Sequence, residues 1–249
     1  MKINLKNKVV LISGGTHGIG QSCVEKFLKY GSKVITFSRD EVKIKYIKKK
    51  FYKYKKKLNV YKGDTTNKVF LKNVSFNILK KYKFVDIIIH NVGGGGRWGN
   101  SDVDKTNQNV WEEVYQKNNN GVIFFNKIFV KLMQKKNWGR VIAISSINGS
   151  EVNFGDRPWF TAAKAAQIAI MKNYSKMRQF TNKGITFNSI SPGPIDIKGT
   201  GWDKKNKKKM NLWIKKNIPL NRLGKPEEVA DLAVFLASDF ASYINGCDI

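Results

Sequence analysis

The residues early in the chain best suited to chemistry are Ser13-Gly14-Gly15-Thr16-His17-Gly18-Ile19-Gly20. This glycine-rich turn follows an apolar run, Val9 to Ile12, and opens a segment with helical periodicity. A parallel strand ending here aims its chain at a ligand. The helix behind it presents free N–H groups and the positive end of its dipole, which together cradle a pyrophosphate. Glycine is needed because the backbone turns tightly, approaches the ligand closely and then packs helix against strand. The same composition also makes plain loops; its place after the first strand and before the first helix favours the cradle.

Such a turn works only if a sheet holds it. Val9 to Ser13 reads as a buried first strand, and Ile19 to Tyr30 as a helix with Cys23, Phe27 and Leu28 inward, stopped at Gly31. Lys33 to Phe37 reads as the second strand, ended by Ser38-Arg39-Asp40. The lysine-rich stretch from about Glu41 has helical spacing at Val42, Tyr46 and Ile47. Further strands are expected at Leu58 to Tyr61, Val85 to His90, Val141 to Ser145 and Ile185 to Ile190. Helices are expected around Asn67 to Tyr82, Trp111 to Lys136 and Phe160 to about Phe180. This alternation predicts an α/β fold: a Rossmann-like, doubly wound parallel sheet in three layers (α/β/α), with its ligand at the carboxyl ends of the strands. Residues 1–249 read as a single dinucleotide-binding domain.

Six strand ends then share one edge: Gly14 to Gly20, Ser38-Arg39, Asp64-Thr65, Asn91 to Gly96, Ser145-Ser146 and Pro192-Gly193. Six together are harder to produce by chance than any one motif. Within them, Asp64 reads either as a turn cap or as an adenine contact, and His90 as a packed strand residue. Ser145 and Ser146 are chemically inseparable from sequence. Trp98, Trp159 and Trp202 either line a substrate pocket or serve as packing.

From about Lys6 to the end, the sequence resembles the short-chain dehydrogenase/reductase family. Ser13-Gly14-x-x-x-Gly18-Ile19-Gly20 is similar to its Thr-Gly-x-x-x-Gly-x-Gly cofactor motif, and His90-Asn91-Val92-Gly93 to its Asn-Asn-Ala-Gly. Asn118, seven residues after Trp111, matches the family's helix asparagine, and Ser146-Ile147-Asn148-Gly149 its catalytic serine segment. Asn188-x-x-x-Pro192-Gly193 and Arg222-Leu223-Gly224-Lys225-Pro226-Glu227-Glu228-Val229-Ala230 complete the match. The resemblance implies a nicotinamide-dependent oxidoreductase that moves hydride between cofactor and a carbonyl or hydroxyl substrate. It implies catalytic positions at Asn118, Ser146, Phe160 and Lys164. It implies cofactor contacts from Gly14, Thr16, His17, Gly18, Ile19, Gly20, Ser38, Arg39, Asp64, Thr65, Asn91, Val92, Gly93, Lys164, Pro192, Gly193 and Ile195. It also implies a mobile substrate lid at about 195–217, and a homotetramer, or else a dimer, formed through the helices that carry Asn118 and Lys164.

One position departs from the family pattern. Trp159-Phe160-Thr161-Ala162-Ala163-Lys164 places Lys164 correctly but puts Phe160 where the family has its proton-transferring tyrosine. Residues i and i+4 share a helix face, so in the family pattern the lysine can stabilise the phenolate while touching the cofactor. Phenylalanine keeps the ring and loses the acid, at a typical cost of about 10² to 10⁴ in rate. Three explanations stand open. The proton comes from water, Lys164 or a substrate group; reductase activity is lost and ligand binding kept; or the phenylalanine was introduced to trap a complex. Two lesser departures are Ile197, with Thr200 nearby, where the family often has threonine, and the stop at Asn245 to Ile249, where relatives usually continue through a last strand and an Asp-Gly-Gly, so that either the natural end is missing or the seventh strand is short.

The end of the second strand bears on the choice of cofactor. A carboxylate there would bind the ribose 2′-hydroxyl of NAD(H), but Ser38 occupies the place and Arg39, a planar phosphate-binding fork, follows. NADP(H) is therefore expected over NAD(H), although Asp40 offers a carboxylate that pairs with Arg39 or acts on the ribose itself.

Composition bounds the rest. The 249 residues carry 46 Lys plus Arg against 18 Asp plus Glu, a net charge of +28. Nine lysines fall within Lys43 to Lys57 and five within Lys204 to Lys209. Without a recognisable nucleic-acid module, a solvated surface is the favoured reading, and no specific nucleic-acid partner is expected. The basic lid points to an anionic small-molecule substrate: a phosphate, a nucleotide or an acyl-carrier thioester. Cys23 and Cys247 lack metal-ligand spacing, and neither a signal peptide nor a membrane span is visible, so no metal, no membrane and a cytoplasmic location are expected. The alternative to an enzyme is a non-catalytic nucleotide-binding homologue.

Overall fold

The computed structural model describes residues 2–95, 98–100, 103–152, 157–198 and 207–249. Strands β1 (Val9–Ser13), β2 (Lys33–Ser38), β3 (Leu58–Lys62), β4 (Ile87–His90), β5 (Gly139–Ile144) and β6 (Ile185–Ile190) form one sheet. Its order is β3-β2-β1-β4-β5-β6, and every pairing is parallel. The chain runs outward from β1 to β3, then crosses back to β4. This reversal between β1 and β4 opens the crevice in which such sheets bind ligands.

Helices α1 (Gly18–Lys29), α2 (Glu41–Lys50), α3 (Lys68–Tyr82), α4 (Gln108–Lys136), α5 (Ile147–Ser150), α6 (Pro158–Lys176), α7 (Arg178–Thr181), α8 (Lys207–Asn217) and α9 (Pro226–Leu236) connect and follow the strands. Alternate residues of β1 explain the three layers. Val10 and Ile12 pack with Val24 and Phe27 of α1 and Ala233 of α9, whereas Val9 and Leu11 pack with Val74 of α3 and Phe125 and Phe129 of α4. A strand covered on both faces must be apolar throughout, which is why Val9 to Ile12 reads as an unbroken run.

Two helices differ from expectation. Helix α2 buries Ile44 and Ile47, with Phe51 beyond its end, while Val42 and Tyr46 stand exposed. Its phase is set where it begins: Asp40 accepts the Lys43 N–H at 3.1 Å as the N-cap, and a 3-4 spacing from Ile44 then faces the sheet. The lysines of this helix turn to solvent. The expected helix from Phe160 to about Phe180 is two helices, because Met177 is extended (ψ 94°) between α6 and α7. At the C-terminus a parallel bridge joins Ser189 to Asp248, whose Oδ1 accepts from the Ser189 and Ser191 hydroxyls, each at 2.7 Å. Among the described residues no helix is long and apolar enough to cross a membrane.

Candidate functional site: a cleft at the carboxyl edge

The glycine turn is stitched to the end of β4. The Ser13 hydroxyl accepts the N–H groups of Asn91 and Val92 at 2.8 and 2.9 Å, and Asn91 Nδ2 donates to the Ser13 and Gly14 carbonyls at 3.0 and 3.1 Å. Gly14 (φ +68°) and Gly18 (φ +55°) adopt left-handed conformations that side chains disfavour. A Cβ on Gly20 would lie 2.4 Å from both Asn91 Nδ2 and the Gly14 oxygen. His17 precedes α1 with extended backbone, and its side chain makes no capping hydrogen bond. The first-turn N–H groups are therefore left to face an anion. Burial, aided by Lys43, pushes the His17 imidazolium below its ordinary range.

These residues line a cleft of about 450 Å³. Of the predicted positions, Gly14, Thr16, His17, Gly18 and Ile19 line it from the turn, Ser38 and Arg39 from the end of β2, and Asp64 and Thr65 from beyond β3. Asn91, Val92 and Gly93 reach it after β4, and Phe160 and Lys164 from α6. Gly20, Asn118, Ser146, Pro192, Gly193 and Ile195 are not part of that lining. Ile195 bridges to Gly224 and packs against the core on the α1 side, and Ile197, against Gly18, lines the cleft in its place. Gly96, Arg97, Thr200, Trp202, Lys204 and Lys205 lie outside the described residues.

Two cations in the lining were missed from sequence, Lys43 and Lys117. Lys43 has a readable signal, since it lies in the first turn of the helix that Asp40 caps. Lys117 has none. It sits over the Trp98 ring, 4.2 Å from the centroid, and burial followed by Arg39 lowers its pKa.

At the β2 corner, Arg39 Nη1 lies 3.1 Å from Asp64 Oδ2. Asp64 Oδ1 also accepts the Thr66 N–H at 2.9 Å, so this carboxylate both caps a turn and holds the arginine. Asp40 is committed to α2, and its backbone hydrogen bond with Lys43 holds its carboxyl below the usual range. Thr65 Oγ1 is buried without a hydrogen-bond partner.

At the α6 end, Phe160 and Lys164 lie one turn apart, with Nζ 6.0 Å from the ring centroid. Lys164 donates to the Ile144 carbonyl at 2.8 Å and to Gln167 Oε1 at 2.9 Å, with no carboxylate among these partners. Burial pushes its ammonium down to about 7. Asn118 clamps the loop after β4: Nδ2 donates to the Gly94 and Val114 carbonyls at 2.8 and 2.7 Å, and Oδ1 accepts the Gly94 N–H at 3.3 Å. The structure separates the two serines. Ser145 is buried and donates to the Lys164 carbonyl at 2.9 Å, whereas half-buried Ser146 accepts the Asn148 N–H at 3.3 Å and keeps its own proton to donate. His90 is buried with Nε2 2.9 Å from Asn126 Oδ1, and burial pushes it down to about 4, so it is neutral at pH 7. Trp159 is packing: it is buried and donates to the Gly95 carbonyl at 3.2 Å.

The chain is similar in sequence and fold to known proteins. Residues 14–249 match the family model described as Enoyl-(Acyl carrier protein) reductase. The chain is 31% identical over 256 residues to a 3-oxoacyl-[acyl-carrier-protein] reductase FabG of Aquifex aeolicus, covering 99% of this chain and 96% of the relative. It is 33% identical over 252 residues to the protein of that name from Rickettsia felis, covering 98% and 95%. The crystal structure of gox2181 superposes with a TM-score of 0.89 at 24% identity, over 99% of this chain and 94% of that one, a likeness of fold.

Proposed function

The chain belongs to the short-chain dehydrogenase/reductase family of oxidoreductases, and we propose that it is an NADP(H)-dependent carbonyl reductase acting on an anionic, carrier-borne 3-oxoacyl substrate. The observation that carries this reading is one cleft whose lining brings together the glycine turn, Arg39 and the buried Lys164. The residues fit a dinucleotide. Side chains on the turn glycines would collide with Val92, Thr36, Ile197 and Asn91, so only glycine keeps the turn this tight, and the start of α1 carries no side-chain cap to compete with an anion.

A nicotinamide cofactor, when bound, supplies hydride chemistry. In this reading the turn N–H groups hold its pyrophosphate, and Arg39 with Lys43 takes the 2′-phosphate. Support for NADP(H) comes from Ser38 standing where a carboxylate would repel that phosphate, and from Asp40 being engaged in capping α2. Asn118 holds the loop beside Gly93, and Ser146 donates to the substrate oxygen. The curated relatives are named for 3-oxoacyl groups on acyl carrier protein, and a net charge of +28 draws an anionic carrier.

Reduction adds a hydride to the carbonyl carbon and a proton to its oxygen. Phe160 has no proton to give, so we assign the donor role to Lys164. Its ammonium lies within the cleft, and burial favours the neutral amine left after transfer. A group titrating near 7 also suits proton transfer at neutral pH. Solvent then returns the proton. The exposed aromatics Trp111 and Tyr115 on α4 support assembly of copies through α4 and α6 into a tetramer, or else a dimer, which light scattering after size exclusion measures.

The test is binding of NADPH and NADH, then turnover of 3-oxoacyl thioesters and simple ketones by the wild type, Phe160→Tyr and Lys164→Met. The reading expects tighter NADPH binding, turnover by the wild type, and a loss of about 10² or more in Lys164→Met. Binding without turnover on any substrate would favour a nucleotide-binding protein without reductase activity, a second reading that Phe160 itself supports.

A further inference from the structure

Lys164 is held by a polar side chain that no motif singled out. Gln167, three residues along α6, is fully buried. Its Oε1 accepts from Lys164 Nζ at 2.9 Å, and its Nε2 donates to the main-chain carbonyl of Asn118 at 2.8 Å. This orientation of the amide is the one that satisfies both neighbours. Reversed, it would set NH2 against an ammonium and oxygen against a carbonyl. Burying an amide is costly unless both ends are bonded, whereas leucine or methionine would fill similar space without needing partners. The glutamine is thus explained by what it joins, and it joins the cleft lysine to the residue whose side chain clamps the Gly94 loop.

We propose that Gln167 is a positioning residue that fixes the Lys164 ammonium between the Ile144 carbonyl and the Asn118 main chain, so that Nζ faces the cleft beside Gly93. A Cβ at Gly93 would lie 2.8 Å from Nζ and 2.7 Å from Asn118 Oδ1, which shows how closely the three elements meet there. This inference rests on the donor role given to Lys164 above. The groups facing Lys164 are Ile144 of β5, Ser145 just after it, Gly93 after β4, Asn118 of α4, and Phe160 and Gln167 of its own helix, all uncharged. The titratable and charged groups elsewhere in the same lining are His17, Arg39, Lys43, Asp64 and Lys117.

The experiment uses the cofactor-free chain labelled with 13C-lysine. The Lys164 resonance is identified by its absence in Lys164→Arg, and its titration is followed in the wild type, Gln167→Leu and Gln167→Glu. Losing a charge-assisted hydrogen bond should lower the midpoint by about one pH unit in Gln167→Leu. A carboxylate at that contact should raise it by about one unit or more in Gln167→Glu. Midpoints unmoved in both folded variants would overturn the proposal. If Gln167→Leu does not fold, the sign of the change in Gln167→Glu decides. The pH dependence of kcat separates the two readings. If it follows the midpoints, both stand; if the midpoints move and kcat does not follow, Gln167 still positions Lys164, and Lys164 is not the proton donor.

Discussion

Replacing Arg39 by alanine should separate the two nicotinamide cofactors. The guanidinium is 64% exposed and sits 3.1 Å from Asp64. A hydrogen bond to a charged group contributes roughly 1.5–3 kcal/mol, whereas an exposed ion pair contributes about 0.2–1 kcal/mol. A 2′-phosphate must draw Arg39 away from Asp64, giving up the weaker contact for the stronger, and solvent screens both. About 1 to 2 kcal/mol remains, so Arg39→Ala should weaken NADPH roughly 5- to 30-fold while leaving NADH within about twofold. Asp64→Asn should act in the opposite direction. It removes the rival for Arg39, keeps an oxygen to accept the Thr66 N–H, and tightens NADPH by up to about fivefold. Calorimetric titration of both cofactors at low and high salt measures this, and the NADPH-specific loss should shrink as salt screens it. Equal weakening of the two cofactors in Arg39→Ala, or no change with NADPH, would refute the placement of the phosphate.

Further outcomes follow from buried groups and tight contacts. His90 titrates near 4 in the folded chain against an ordinary value of 6.5, so the unfolded chain binds its proton more readily. Its contribution to stability is present above pH 6.5 and lost as pH falls through 4. That amounts to about 3 kcal/mol and is measured by denaturant unfolding across that window. His90→Gln should flatten the decline. Gly20→Ala forces a Cβ to 2.4 Å from Asn91 Nδ2 and should cost about 1–3 kcal/mol along with cofactor binding. Gly193→Ala meets nothing within 4 Å and should leave the melting temperature unchanged.

Legibility from sequence followed the range of the interactions. The first strand, the turn and α1 were readable because burial on both faces and local backbone demands leave marks at adjacent residues. Six strand ends were brought to one edge as expected, since alternation alone dictates parallel topology. Phase was harder: in α2 the N-cap at Asp40 selected Ile44 and Ile47, against the spacing that Val42 and Tyr46 suggested. Ile197 replaced Ile195 in the cleft because the latter's pairing partner, Gly224, lies far along the chain. Gln167 and Lys117 were invisible for the same reason, as the Asn118 carbonyl that gives Gln167 its meaning is 49 residues away. The two serines look alike in sequence and part only when the Lys164 carbonyl claims Ser145.

The most direct test of the account is the single-turnover rate of NADPH-dependent reduction of a 3-oxoacyl thioester as a function of pH, with Phe160→Tyr alongside the wild type. With Lys164 as donor, the wild-type rate should fall as pH rises through about 7, where burial sets that ammonium. The tyrosine variant should carry its descending limb to higher pH. A wild type without turnover at any pH, and a gain of about 10² or more confined to Phe160→Tyr, would contradict the account and leave the chain a cofactor-binding protein that lacks its acid.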